Sequence, residues 1–317
     1  MEATKRDPAF GPYLLERRIA TRRRIELYRA TAIGTDGRPK PVALRRTGSL
    51  DDGVHDRFLA GAMNYAVVHH SSIAEVVDLG TIDGRSYIVT DFVDGRDLLK
   101  VLARCAQVRL GFPTDVALHV LDRVLAALQA AHDTKDREGR SVPIVHGDLC
   151  HSNVLLTDDG DVAVTDFSMG IASTRRRTAS GLHQGAKNRF TCYVSPEQLR
   201  GEPATERSDV FMAGILLYEL VTGRVLFKGR NDEDLAELIA SERFEVPLER
   251  HRADLHPRLA RIVHTALAAD PDHRFASARA FSEAIAGLLD SVQASVDRRF
   301  LAQLMRRLFD AGAAASA

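Results

Sequence analysis

His146-Gly147-Asp148-Leu149-Cys150-His151-Ser152-Asn153, then the apolar run Val154-Leu155-Leu156, a Thr157-Asp158-Asp159-Gly160 turn, and Val164-Thr165-Asp166-Phe167-Ser168 form the stretch from which the rest of the chain is read. It offers two carboxylates, Asp148 and Asp166, and one amide, Asn153, on either side of an apolar segment. Oxygen groups of this kind hold hard cations and accept protons. They also hydrogen-bond their own turns, which is the purely structural alternative. Asn153 follows Asp148 by five residues and Asp166 follows Asn153 by thirteen, so the three groups recur at a defined spacing.

The bulk properties narrow the setting. A chain of 317 residues is long enough for one two-lobed domain or two small ones. Its 43 basic and 43 acidic residues balance, which leaves no whole-molecule field to draw nucleic acid or an anionic membrane surface. The six lysines are far outnumbered by arginines, so an Arg where Lys is expected partly reflects composition. Cys105, Cys150 and Cys192 are odd in number and widely spaced, which rules out a disulfide framework and gives no metal-type spacing. No window reaches the roughly 18 to 20 uncharged residues of a membrane span, and residues 1 to 7 are charged. A soluble protein of the reducing cytoplasm is the expectation.

Outward from the central stretch, the pattern changes once. Residues 13 to 93 read as short β-rich runs, Ile25 to Tyr28, Pro41 to Leu44 and Tyr87 to Thr90 among them, interrupted by one helix over 54 to 68. After Asp94-Gly95 the pattern is helical: 97 to 106, 114 to 132, 209 to 222, 232 to 241, 258 to 268 and 277 to 289. A sheet-rich first third followed by helices is an α+β, two-lobe layout. The division expected is an N-terminal extension (1–12), a small β-rich lobe with one main helix (13–93), a larger helical lobe (94–290) and a C-terminal amphipathic helix and tail (291–317). In that tail Val292, Val296, Phe300, Leu304 and Leu308 recur every four residues, flanked by Leu301 and Met305. The segment is expected to pack on the larger lobe, with a partner or dimer contact as the alternative.

The segments together resemble the bacterial Ser/Thr protein kinases of eukaryotic type, over residues 13 to 288. Val42-Ala43-Leu44-Arg45 stands where that family has Val-Ala-Ile/Leu-Lys. Ser195-Pro196-Glu197 matches its Ala-Pro-Glu, Ser208-Asp209-Val210 opens the central helix of the large lobe, and Asp270-Pro271-Asp272-His273-Arg274 supplies the Arg that pairs with Glu197. The resemblance implies a bilobal protein-kinase-like fold with ATP and magnesium as cofactors. It makes Asp148 the base, Asn153 and Asp166 the metal ligands, and Ala43, Arg45, Thr90, Asp91, Val93 and Leu155 the nucleotide-contacting positions. His146, Phe167, Glu197, Asp209 and Arg274 are implied as structural, and Thr178, Ser180 and Thr191 are candidate phosphoacceptors.

The departures concern phosphate. Ala20, Arg22 and Ile25 fall at the three positions where the family uses glycine to bring backbone close to phosphates. Arg22-Arg23-Arg24 reads first as a solvated basic turn and second as a phosphate contact. Arg45 replaces the phosphate-reaching Lys, and a planar guanidinium is not equivalent to an ammonium in a packed site. The small-lobe Glu that pairs with that Lys is Gly61 here. Gly147 stands for an Arg, Cys150 for the Lys after the base, Ser168 for a Gly, and Phe190 for a Thr before Tyr193, with Thr191 one step off. The missing glycines, Arg45, Gly61 and Cys150 each remove charge or geometry at the transferring phosphate. Gly147 is a mild change, Ser168 a tolerable one, and Phe190 bears on the platform for a protein substrate.

The leading expectation is therefore a pseudokinase, a kinase-fold module with weak or no phosphoryl transfer. It would act as a scaffold through a protein partner such as another kinase or a signalling protein, and ATP binding is left open. The alternative is an active Ser/Thr kinase in which Arg45 or residues 22–24 supply the missing charge. A third reading, a small-molecule phosphotransferase, draws on His146-Gly147-Asp148, and Ser195-Pro196-Glu197, Asp209 and Arg274 speak against it.

Overall fold

The computed structural model describes residues 9–22, 25–34, 37–48, 52–167, 193–227, 237–239, 241, 244–293 and 297–309. β1 (Leu14–Arg22), β2 (Ile25–Ile33), β3 (Pro39–Thr47), β4 (Val76–Ile82) and β5 (Arg85–Asp91) make an antiparallel sheet in the order β1-β2-β3-β5-β4. α1 (Asp52–Ala66) lies between β3 and β4 in sequence and packs on β4 and β5. Burial alternates along β3, with Val42 and Leu44 inside and Ala43 and Arg45 half-buried on the opposite face, as strand geometry requires. Phe10, Tyr13, Leu15, Tyr28, Val42, Leu44, Tyr87 and Val89 form the small-lobe core. Phe10 stands edge-on to Tyr87 at 5.7 Å, so the core reaches into residues expected to lie in an extension before 13.

β6 (Gly95–Asp97) pairs with β7 (Val154–Thr157), which pairs with β8 (Val162–Val164). α2 (Leu98–Gln107) starts where the Asp97 carboxylate accepts from the Lys100 backbone N–H at 2.9 Å. α3 (Thr114–His132), the short α4 (Pro196–Leu199), α5 (Glu206–Thr222), the short α6 (Leu248–His251), α7 (Pro257–Ala266), α8 (Ala278–Ser291) and α9 (Arg298–Phe309) complete the large lobe. From Ser208 to Val221 every residue of α5 is buried, so this helix is the axis on which the lobe is assembled. Of the helix expected over 232–241, 237–239 and 241 fall among the described residues, with 237–239 helical and Ser241 in a turn whose N–H donates to the Glu237 carbonyl.

α1 belongs to the large core and not to the small one: Phe58, Ala62 and Tyr65 cluster with Leu98, Val154, Val164 and Phe167. The helix therefore spans the two lobes and fixes where the small sheet sits over residues 146–167.

The tail corrects the expectation of one helix from 291 onward. α8 stops at Ser291, Gln293 takes φ 52°, and a separate α9 begins at Arg298. Val292 and Phe300 are exposed, and the buried stripe is Leu301, Leu304, Met305 and Leu308. This face packs within the chain, on α2 and α3. Gly160, at φ +85°, is required here: a Cβ would lie 1.9 Å from the Arg298 carbonyl oxygen. No helix among the described residues is long and apolar enough to cross a membrane.

Candidate active site

Asp209, fully buried near the start of α5, organises the loop that carries Asp148. Its carboxylate accepts from the backbone N–H of His146 at 2.8 Å and of Gly147 at 2.9 Å, and lies 2.8 Å from His132 Nε2. Gly147 takes φ +71°, a turn that a larger residue adopts at a cost, which gives its presence a backbone reason. The Asp148 N–H donates to His146 Nδ1 at 3.3 Å, leaving His146 Nε2–H to donate to the Thr165 carbonyl at 3.0 Å. Asn153 Nδ2 donates to the Asp148 carbonyl at 2.9 Å, and the Thr165 N–H donates to the Asn153 carbonyl at 2.9 Å. The two loops are thus joined into one unit, with Asp148 half-buried and Asn153 buried.

Asp166 adopts φ +70°, an uncommon conformation for a non-glycine residue that clusters at functional sites. Phe167 behind it is fully buried, with its ring 4.7 Å from His146 and 5.7 Å from Tyr65. The Tyr65 hydroxyl donates to the Ala74 carbonyl at 2.6 Å, and burial, then the Asp166 charge, raises its pKa. This stack ties α1 to the loops through an aromatic column. Tyr65 was not picked out from sequence; its signal is the buried helical spacing Phe58, Ala62, Tyr65.

Arg45 reaches into the same place. Its Nε lies 2.7 Å from Asp166 Oδ1, with both side chains largely buried. Gly61 offers Arg45 no partner, as its identity requires, and Arg45 meets Asp166 instead. The contact is not a well-directed hydrogen bond, because Asp166 Oδ1 and Arg45 Nη1 are both buried without a hydrogen-bond partner.

Of the remaining nucleotide positions, Ala43 pairs across the sheet with Thr90, which is buried. Asp91 ends β5 in an exposed ion pair with Lys40 at 2.7 Å, and Val93 is half-buried in the connection to β6. Leu155 is half-buried between the core residues Val154 and Leu156, on the opposite face of β7. The hairpin expected to cover phosphate is a ladder that pairs up to Arg22 and Ile25, with Ala20 opposite Leu27 and register shifts between Leu15 and Arg17 and between Arg18 and Ala20. Arg23, Arg24, Ser168, Thr178, Ser180, Phe190 and Thr191 lie outside the described residues.

At the far side Glu197 is held by Arg274, Nη1 to Oε1 at 2.8 Å and Nη2 to Oε2 at 2.9 Å, with the Ser208 hydroxyl donating at 2.6 Å. Burial pushes the Glu197 carboxyl up, but Arg274 outweighs it and the pKa is lowered. Gln198 Nε2 donates to the Gly147 carbonyl at 3.0 Å, joining α4 to the loop of Asp148.

A second buried cluster had no sequence signal. Tyr193 donates to Glu219 Oε2 at 2.6 Å, and His151 Nδ1 lies 3.6 Å from the same oxygen, with neither ring nitrogen hydrogen-bonded. Burial pushes His151 down to about 3 and Glu219 up to about 7, so this contact is not an ion pair near neutrality.

The family description "Protein kinase domain" matches residues 47–285, so β1, β2 and Arg45 precede the matched stretch. Among curated proteins, the tyrosine-protein kinase MasK of Myxococcus xanthus is 31% identical over 87% of this chain. The probable serine/threonine-protein kinase PknB of Corynebacterium glutamicum is 35% identical over 76%, and PknA of Mycobacterium tuberculosis is 31% identical over 88%. The chain spans 43%, 37% and 61% of the length of these three relatives. Among solved structures, the Mycobacterium tuberculosis PknI kinase domain superposes with a TM-score of 0.68 at 25% identity, over 91% of this chain and all of that one.

Proposed function

We propose, from the premise that the chain belongs to the protein kinase family, that it transfers the γ-phosphate of ATP to a serine or threonine hydroxyl. The observation that carries this reading is the joined unit of Asp148, Asn153 and Asp166, with Phe167 seated between His146 and Tyr65. In it Asp148 accepts or orients the proton of the incoming hydroxyl.

The residues fit a magnesium ion. Asn153 commits its Nδ2 to the Asp148 carbonyl, which turns its amide oxygen toward other partners. Asp166 has a buried carboxylate oxygen without a hydrogen bond, the Oδ1 that Arg45 Nε approaches at 2.7 Å and that a bound ion would share or take over. Asn153 and Asp166 would hold the ion through oxygen, the ligand type magnesium takes. When bound, it would supply charge neutralisation for the transferring phosphate. Ala43, Thr90, Asp91, Val93 and Leu155 are the positions proposed to line the adenine side.

Phosphate incorporation from labelled ATP with magnesium, into the chain itself or a general protein acceptor, tests this. The expected signal falls about 100-fold or more in Asp148→Asn, the scale of losing a general base. Absence of incorporation, or a signal that survives the substitution, overturns it.

One observation favours a second reading, a binding module with slow or no transfer that works through a protein partner. Arg45 is engaged with Asp166, and Gly61 offers no carboxylate to draw it away. That reading expects nucleotide to raise the melting temperature without phosphate incorporation.

A further inference from the structure

We infer that Arg45 acts as a tethered cation on Asp166, so that a nucleoside triphosphate binds this cleft without needing a divalent ion. The inference rests on the reading that the cleft takes such a nucleotide.

The contact has an unusual combination of features. Arg45 Nε is 2.7 Å from Asp166 Oδ1, and the side chains keep only 11% and 19% of their exposure. A largely buried carboxylate is costly unless its charge is met, and Arg45 is the cation that meets it. A magnesium ion on the same oxygen would sit at about 2.1 Å, hard against the guanidinium already there. The two cations compete for one carboxylate oxygen.

Position 61 on α1 does not relieve that competition. Gly61 is buried one helical turn before Tyr65, on the same face. The Tyr65 hydroxyl feels the charges of both Arg45 and Asp166, so this face of α1 looks onto the pair. A carboxylate at 61 would give Arg45 a second partner, and glycine leaves it to Asp166. The guanidinium is also the wrong shape for an isolated point contact. It has five N–H donors, yet its Nη1 is buried without an acceptor. An anionic phosphate oxygen is the partner that would satisfy Nη1 after a small shift, while Nε stays on Asp166. Arg45 would then bridge carboxylate and phosphate, which is the electrostatic part a divalent ion otherwise plays in holding the nucleotide.

The test is ATP titration of the full chain by calorimetry and thermal shift, in EDTA and in magnesium, beside labelled-phosphate incorporation. For the wild type, the EDTA dissociation constant is expected within about threefold of the magnesium value, a difference under 1 kcal/mol. Arg45→Met is expected to weaken binding in EDTA by about tenfold or more, with magnesium recovering most of it. Arg45→Lys keeps the charge but replaces the Nε and Nη1 pair with one nitrogen, and is expected to weaken EDTA binding by less than Arg45→Met does. Gly61→Glu gives Arg45 an alternative partner and is expected to make binding depend on magnesium.

Wild-type binding that requires magnesium overturns the inference and leaves the kinase reading standing. So does a folded Arg45→Met, checked by its denaturation midpoint, that retains wild-type affinity in EDTA. Binding in EDTA without incorporation in magnesium supports the inference and overturns the kinase reading. No binding in either buffer overturns both.

Discussion

Arg45 and Arg274 each meet one carboxylate, and the two pairs are built on different terms. Arg274 donates from Nε to the Ala268 carbonyl at 2.8 Å, from Nη1 to Glu197 and the Arg207 carbonyl, and from Nη2 to Glu197 and the Ala269 carbonyl. Phe211 lies 4.6 Å beneath its plane. All five N–H groups are engaged, and nothing remains for a ligand. Arg45 makes one oblique contact to Asp166 and leaves a buried nitrogen and a buried oxygen without hydrogen bonds. Unsatisfied buried polar atoms are rare enough in folded proteins to call for an explanation, and a ligand site is one. The Arg274–Glu197 pair closes its charges for stability; the Arg45–Asp166 pair in the cleft leaves a nitrogen and an oxygen open.

The largest effect that separates the two pairs is on stability. Arg274→Ala strands a buried Glu197 and is expected to cost about 3–5 kcal/mol in urea unfolding. A loss below about 1 kcal/mol would put Arg274 in the same class as an exposed pair and erase the contrast.

A smaller, pH-dependent effect is expected at Glu219, another closed carboxylate of the large lobe. Its ordinary value of 4.5 rises to about 7 in the folded state through burial. Between those values the folded chain holds a proton that the unfolded chain has released. Its contribution is therefore fully present below pH 4.5 and is lost as pH rises through 7. Glu219→Gln is expected to gain on the wild type from pH 5 to pH 8 by on the order of 2 kcal/mol, read as a widening difference in melting temperature. A constant difference across that range would show that Glu219 does not titrate there.

The smallest effect is Arg45→Ala on stability, about 1–2 kcal/mol, below the Arg274→Ala loss because the pair retains some water and is poorly directed. Set beside its expected influence on nucleotide binding, a loss as large as that of Arg274→Ala would make Arg45 a structural residue.

The two-lobe fold was legible because its signals are local. Alternation over residues 25–28 and 41–44, helical periodicity over 114–132 and the ordered motifs up to Arg274 each act within a few residues. The tail misled for a geometric reason. A repeat of four drifts about 40° per step around a helix of 3.6 residues per turn, so Val292 and Leu308 end up about 160° apart. The chain instead breaks after Ser291 and buries the 301, 304, 305, 308 stripe, which does share one face. His151, Tyr193 and Glu219 carried no signal, because each looks ordinary in its own segment and they meet only when α5 brings them together.

By itself the sequence determined the family, the lobes and the loop positions of Asp148, Asn153 and Asp166, because backbone turns and residue spacing set these over short range. It also showed that position 61, where a small-lobe Glu would pair with Arg45, is glycine. What Arg45 does in that absence was decided by tertiary structure. The aromatic column of Tyr65, Phe167 and His146 holds α1 against the loop of Asp166, and the largely buried guanidinium of Arg45 meets the carboxylate that this packing presents, Asp166.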